Sequence, residues 1–160
     1  MDEYTEFLFR IAYYYVKDSQ IAEDIVQDVF IKFYCANYED KGELKAYLSR
    51  VTANASKDYL KSWTYRKLKY TEKIWTKENV IHKDGLIHKE ELNILDKAIL
   101  SLPLKQRESI VYYYLENLSV KEISNLLQCP ESTVKSRIKS GKDLLKKQLV
   151  KEQWEVLLHE

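Results

Sequence analysis

The sequence predicts an all-α protein made of two small helical domains joined by a flexible linker, the C-terminal one a helix-turn-helix. Three observations predict it. Gly and Pro number only three and two in 160 residues, so breakers of regular structure are scarce. Apolar residues recur at i, i+3 and i+4 rather than in alternation, which is the period of a helix and not of a half-buried strand. Between about residues 68 and 87 that periodicity lapses, around Asp84-Gly85, and it resumes at Leu92. The expected layout is a first domain over residues 1–67, a linker over 68–87 and a second domain over 88–160.

The first helix is expected over residues 4–16, carried by Phe7, Leu8, Ile11, Ala12 and Tyr15. Asp18 or Ser19 then offers an oxygen to cap a second helix, whose apolar stripe is Ile21, Ala22, Ile25, Val26, Val29, Phe30 and Phe33. Asp24, Gln27 and Asp28 lie on its other side, at i, i+3 and i+4. "ANYEDKGE" ends the pattern, because Asn37, Asp40 and Gly42 are turn residues. A third helix follows over residues 43–63. Leu44, Tyr47, Leu48, Val51 and Ala55 make its expected core face, and Arg50, Asn54, Lys57, Asp58 and Lys61 fall together on the far side. The chain then turns basic and aromatic in "KSWTYRKLKY".

In the second domain Leu92, Leu95, Ala98 and Ile99 mark a helix that "SLP" ends. Pro103 suits the first turn of the next helix, where its missing N–H costs nothing. That helix is expected over residues 103–117, with Ile110, Val111, Tyr114 and Leu115 inside. After "ENLS" come a short helix on Val120, Ile123, Leu126 and Leu127, and a tight turn at "QCP". A longer helix from Ser132 packs through Val134, Ile138 and Leu145. A short helix, a tight turn and a second helix with polar residues along its exposed first half is helix-turn-helix organisation. With Val134 and Ile138 inward, Lys135, Ser136 and Lys139 point outward, and Thr133 and Arg137 flank them. Such residues supply donors to base edges and cations to phosphates. A row of lysines is also what any solvated helix face carries.

Charge is unevenly spread along a chain whose formal net charge is only +1. Residues 1–40 hold nine acids against Arg10, Lys17 and Lys32, while residues 132–147 hold six bases against Asp143 alone. Opposite ends therefore suit different partners. No apolar run approaches membrane-spanning length, and no secretory leader pattern opens the chain. Cys35 and Cys129 are isolated and make no disulfide framework, so a reducing cytoplasm is the expected setting. His82, His88 and His159 show no metal-ligand spacing with either cysteine, and the chain has no Gly-rich phosphate loop and no nucleophile elbow. These patterns point away from an enzyme, and no metal or cofactor is expected.

The wording of the chain adds to its pattern. "LSVKEISNLLQCPESTVKSRIKSGKDLLKKQL" resembles, without a gap, the C-terminal promoter-binding region of bacterial sigma-70 family sigma factors, in particular the short extracytoplasmic-function (ECF) group. Leu102-Pro103 and Gln106-Arg107 resemble the opening of that same region. "AEDIVQDVF" resembles the family's helix for docking on core RNA polymerase. "YLSRVTANASKDYL" resembles its next helix, with Asn54 and Asp58 at the family's Asn and Asp positions. Two separate segments in the right order make the resemblance specific, and it covers nearly the whole chain.

The resemblance implies an ECF-type sigma factor that binds core RNA polymerase, through its β′ and β subunits, and promoter DNA at the −10 and −35 elements. Carried over, Asp24, Gln27 and Asp28 grip the polymerase. Asn54, Asp58, Lys61, Trp63, Arg66 and Lys67 meet the −10 element, where melted single strand needs a cationic track and stacking groups. Ser132, Thr133, Lys135, Ser136, Arg137, Lys139 and Lys142 meet the −35 element. An anti-sigma factor is implied by analogy with the family, and no membrane insertion is expected.

Four positions depart from the family pattern. Gln128 stands where Gly is usual in the turn, so its backbone must reach positive φ without Gly's freedom. Ser124 replaces the usual Ala where the two helices approach, and Ser140 stands where a cation is expected. Gly141 in mid-helix is expected to cost about 1 kcal/mol relative to Ala. Two other readings of the residues stay open at this point. One is a stand-alone helix-turn-helix regulator dimerising through Trp154 and Leu158 of the tail; the other is an interaction protein that captures a regulator or polymerase without reading DNA.

Overall fold

The structure, a computed structural model, describes residues 2–39, 41–71 and 94–149, with the backbone alone for Asp2, Tyr65 and residues 68–71. Every regular element among these residues is helical. The remainder of the expected linker, Leu92 of the expected fourth helix, and the Trp154–Leu158 pair lie outside the described residues. The chain divides into two compact units, residues 1–87 and 88–160.

In the first unit α1 (Asp2–Val16), α2 (Ser19–Cys35) and α3 (Leu44–Thr71) pack each against both others. Phe7, Leu8, Ile11, Ala12 and Tyr15 of α1 are all buried, as their spacing predicts. Asp18 is the residue that caps α2: its backbone is extended and its Oδ1 accepts from the Ile21 N–H at 3.0 Å. That bond satisfies one of the orphan donors of the first turn. Ala22, Ile25, Val26 and Val29 then bury the inner face of α2.

The buried face of α3 differs from the one expected. Leu48 is buried as predicted, but Ser49, Thr52, Ala53 and Ser56 share the interior with it, while Leu44, Tyr47, Val51 and Ala55 are only half-buried. Small side chains let α1 and α2 come close to the helix axis. Two of the three hydroxyls bond back along the helix: Ser49 Oγ donates to the Lys45 carbonyl at 2.7 Å, and Ser56 Oγ to the Thr52 carbonyl at 2.8 Å, whereas Thr52 Oγ1 is buried without a hydrogen-bond partner. The helix also runs to Thr71, past the expected end at Trp63. No Gly or Pro interrupts "SWTYRKLKYT", and Arg, Lys and Leu are good helix formers.

In the second unit α4 is Ile94–Leu100 and α5 is Leu104–Ile110, which continues into a π-helical turn, Val111–Leu115. Helix α5 and the π turn together run without a break over most of the helix expected across residues 103–117. Pro103 is the residue before the helix, with its carbonyl accepting from the Arg107 N–H. In the π turn the Glu116 N–H reaches back to the Val111 carbonyl, five residues away. Burial is continuous from Arg107 through Tyr112, beginning before the π turn, and Tyr114 and Leu115, both expected inside, are half-buried. Helices α6 (Val120–Leu127) and α7 (Glu131–Gln148) follow, and α7 packs on both α5 and α6.

Candidate nucleic-acid interface

Helix α6 begins on a reciprocal cap. The Glu122 N–H donates to Ser119 Oγ at 3.2 Å, and the Ser119 N–H to Glu122 Oε2 at 2.7 Å. It ends at Gln128, which adopts the left-handed conformation at φ 52°, ψ 48°. Ser124 closes the turn from both sides: its carbonyl accepts from the Cys129 N–H at 3.2 Å, and its hydroxyl donates to the Cys129 carbonyl at 2.6 Å. The serine in place of alanine thus adds a hydrogen bond to the turn. Pro130 then starts α7, its carbonyl accepting from the Thr133 and Val134 N–H groups.

Val134, Ile138 and Leu145 are buried, which fixes the roll of α7. Ser132, Lys135, Ser136 and Lys139 are exposed, and Thr133 is half-buried. They form a polar, cationic patch on the first turns of a helix braced from behind. Two other expected contacts face elsewhere. Arg137 turns toward α5, where its Nη1 lies 3.7 Å from Oε1 of the buried Glu108. Lys142 is half-buried, its ammonium 5.7 Å from the centre of the Tyr114 ring.

Gly141 is buried, and a Cβ built there would stand 2.6 Å from Ile110 Cγ1. The expected propensity penalty is therefore the cost of a close helix approach.

In the first unit Asp24, Gln27 and Asp28 are exposed on one side of α2. Ile31 and Tyr34, each 60 % exposed, continue that side toward the helix end. Beside it runs an apolar groove of about 400 Å³ between α1 and α2, floored by Phe9, Val26 and Phe30. On α3, Asn54, Asp58, Lys61, Trp63, Arg66 and Lys67 are all exposed, at spacings that spread them over more than one face. Lys67 sits over the Trp63 ring, 4.9 Å from its centre, so the two present a cation and an aromatic surface together. The Tyr59 hydroxyl is held above the ordinary tyrosine range, by burial first and by the Asp18 carboxylate second, while the Arg66 guanidinium pulls it down.

One feature of this region was not singled out from sequence. Tyr38 and Tyr47 stack with centres 4.4 Å apart and line a hollow of about 360 Å³ with Arg50, Lys41 and Glu43. The signal was a tyrosine on each flank of the "YEDKGELKAY" break, one before the turn residues and one after.

These features define a helix-turn-helix protein, with that motif in its second unit and an exposed acidic face on α2 and a cationic stretch on α3 in its first. Known proteins agree. The family model for sigma-70 region 2 matches residues 1–64, and that for sigma-70 region 4 matches residues 92–145. The chain is 29% identical to the ECF RNA polymerase sigma factor SigW of Bacillus subtilis, over 93% of this chain and 86% of that one. It is 33% identical to the ECF RNA polymerase sigma-E factor of Escherichia coli K12, over 72% and 66%. The fold matches the sigma factor RpoE in its co-crystal structure with the anti-sigma factor NepR from Bartonella quintana, with a TM-score of 0.70, 22% identity and 91% of each chain covered. The chain belongs to the sigma-70 family, as an ECF sigma factor that directs transcription initiation. Among its described residues no helix is long and apolar enough to cross a membrane.

Proposed function

We propose that α2 docks on core RNA polymerase, α3 acts at the −10 element and α7 reads the −35 element from the major groove. The observation that carries this reading is the patch of Ser132, Lys135, Ser136 and Lys139 on a helix whose opposite side is locked by Val134, Ile138 and Leu145. Base reading needs side chains held in a fixed roll, and α5 and α6 supply that brace. Arg137 and Lys142 are secondary in this reading, since each already faces a protein group.

The α2 face combines carboxylates with exposed Ile31 and an apolar groove, which suits a helical partner with basic and apolar residues. Core polymerase, through its β′ and β subunits, is that partner. On α3 the Trp63–Lys67 pair and the stacked tyrosines beside Arg50 offer what an unstacked strand requires: π surfaces and cations. Covalent connection of the two units raises the effective concentration of the second once the first is bound, so two modest contacts combine. An anti-sigma factor is the further partner of this reading, as one accompanies the structural relative. The cytoplasm is where it would meet both polymerase and DNA.

Run-off transcription with purified core polymerase tests the whole, on promoters with intact and base-substituted −35 elements. Alanine at a base-reading residue should cost about 1–3 kcal/mol and relax preference at one promoter position. At a phosphate-contacting lysine it should weaken all promoters alike and lower the salt slope by about one. Unchanged activity and unchanged preference for both Lys135→Ala and Lys139→Ala would sink the groove assignment. Mobility shifts add a second check: a stand-alone regulator binds the promoter without polymerase, whereas a sigma factor does so mainly as holoenzyme.

A further inference from the structure

An arginine in the first half of a recognition helix is the strongest ligand that helix can offer to guanine or phosphate. Here it is directed away. Arg137 has only 20% of its side chain exposed, and the Glu108 carboxylate that faces it is 4% exposed. Neighbouring Arg107 is also buried, and its Nη1 donates to the Leu100 carbonyl at 3.0 Å, so α5 engages α4 on one side and α7 on the other. A buried carboxylate is tolerable only with a cation close by. One turn beyond Arg137, Gly141 lies against Ile110, so α7 meets α5 at two successive points of one face.

We propose that Glu108 is a positioning residue for −35 discrimination: it withholds the charge of Arg137 from DNA phosphate and fixes the roll of α7 beneath Lys135, Ser136 and Lys139. The proposal rests on the −35 reading given above. Two effects follow from one carboxylate. Arg137 contributes nothing to sequence-independent attraction, which keeps the affinity for wrong sites down. The roll of α7 is also restricted, and side-chain tips about 5–6 Å from a helix axis move by roughly 2 Å for a 20° rotation. A shift of that size breaks the match to a base edge.

The test measures binding of wild-type and variant holoenzymes to promoters with native and base-substituted −35 elements, across a salt series. Glu108→Gln keeps the shape and removes the charge. It should steepen the salt slope by about one as Arg137 reaches phosphate. Native-over-substituted preference should fall about five- to tenfold as the roll loosens. The double variant Glu108→Gln/Arg137→Gln should return the slope to the wild-type value while leaving preference low.

Arg137→Gln alone gives a reciprocal check that does not depend on how Glu108→Gln folds. A cation that never touches phosphate leaves the slope unchanged when lost, whereas a direct contact lowers it by about one. A lowered slope in Arg137→Gln, or a Glu108→Gln holoenzyme with native slope and preference, overturns the proposal. A wild-type holoenzyme indifferent to the −35 substitutions overturns the −35 reading itself, and this inference with it.

Discussion

Gly141 of α7 backs directly onto Ile110 of α5: an added Cβ would meet Ile110 Cγ1 at 2.6 Å and Cδ1 at 3.1 Å. Two opposing effects therefore bear on Gly141→Ala. Helix propensity favours alanine by about 1 kcal/mol, while overpacking a tight helix contact costs about 1–3 kcal/mol. Packing should win, because Ile110 is fully buried and a 2.6 Å approach forces something to shift within a close-packed interior. Urea unfolding should show Gly141→Ala to be less stable than wild type by about 1 kcal/mol. Ile110→Ala removes both of those carbons, so it should cost less in the Gly141→Ala background than in wild type, and a simple sum of two losses would show that the contact is not the cause.

Gln128 holds a left-handed backbone in the turn between α6 and α7. A non-glycine residue there is strained by roughly 1–2 kcal/mol, and the side chain itself is exposed. Gln128→Gly should raise the unfolding free energy by about 1 kcal/mol, after the extra backbone entropy of glycine is offset. An unchanged or lower urea midpoint would mean that the Gln128 side chain contributes a contact of its own.

The acidic side of α2 predicts a charge-reversal effect on assembly. Asp24 and Asp28 are exposed, so changing both to Lys should alter stability by less than about 0.5 kcal/mol per site. Circular dichroism should be unchanged while binding to core enzyme is lost, by analytical size exclusion or fluorescence anisotropy. Native affinity in the double variant would place the docking surface elsewhere.

Asn54 and Asp58 lie exposed on α3, one turn apart. Asn54→Ala and Asp58→Ala should reduce permanganate-detected melting and transcription from duplex promoters. A pre-melted bubble template should restore part of the activity. Equal loss on both templates would instead identify a folding or docking defect.

The parts of this protein that follow from local rules were open to reading. Asp18 caps α2 because a short acidic side chain preceding an apolar stripe satisfies the first-turn N–H groups. Phe7, Leu8, Ile11, Ala12 and Tyr15 line α1's buried face because α1 contributes large apolar groups. The core face of α3 escaped the same logic. Ser49, Thr52 and Ser56 are polar by composition and buried by geometry, and hydrophobic spacing cannot see a face made of small residues. The π turn escaped too, since a change from four-residue to five-residue hydrogen bonding has no signature in "IVYYYL". Likewise Glu108, an acid in the polar run "KQRES", reads as solvated until Arg137 is brought to it across α7. In the candidate site, the exposed residues of α7 could be named from Val134 and Ile138 alone, but not which of the cations beside them were already engaged.

Helix α3 spans 28 residues, roughly 42 Å of continuous rod, and among its described side chains Ser56 is the last that is buried. From Lys61 to Thr64, and again at Arg66 and Lys67, its side chains are exposed. What these exposed residues add to helical order is their own backbone bonds and pairs such as Trp63–Lys67, which are marginal in water and weaken with heat. Promoter opening by this factor should therefore carry a thermal signature separate from that of duplex melting. Warming should fray α3 past Lys61 before the bundle unfolds, and DNA would then restore that order at an entropic cost. Amide hydrogen exchange graded along α3, fast past Lys61 and slow at Leu48 and Thr52, is the expected record of it.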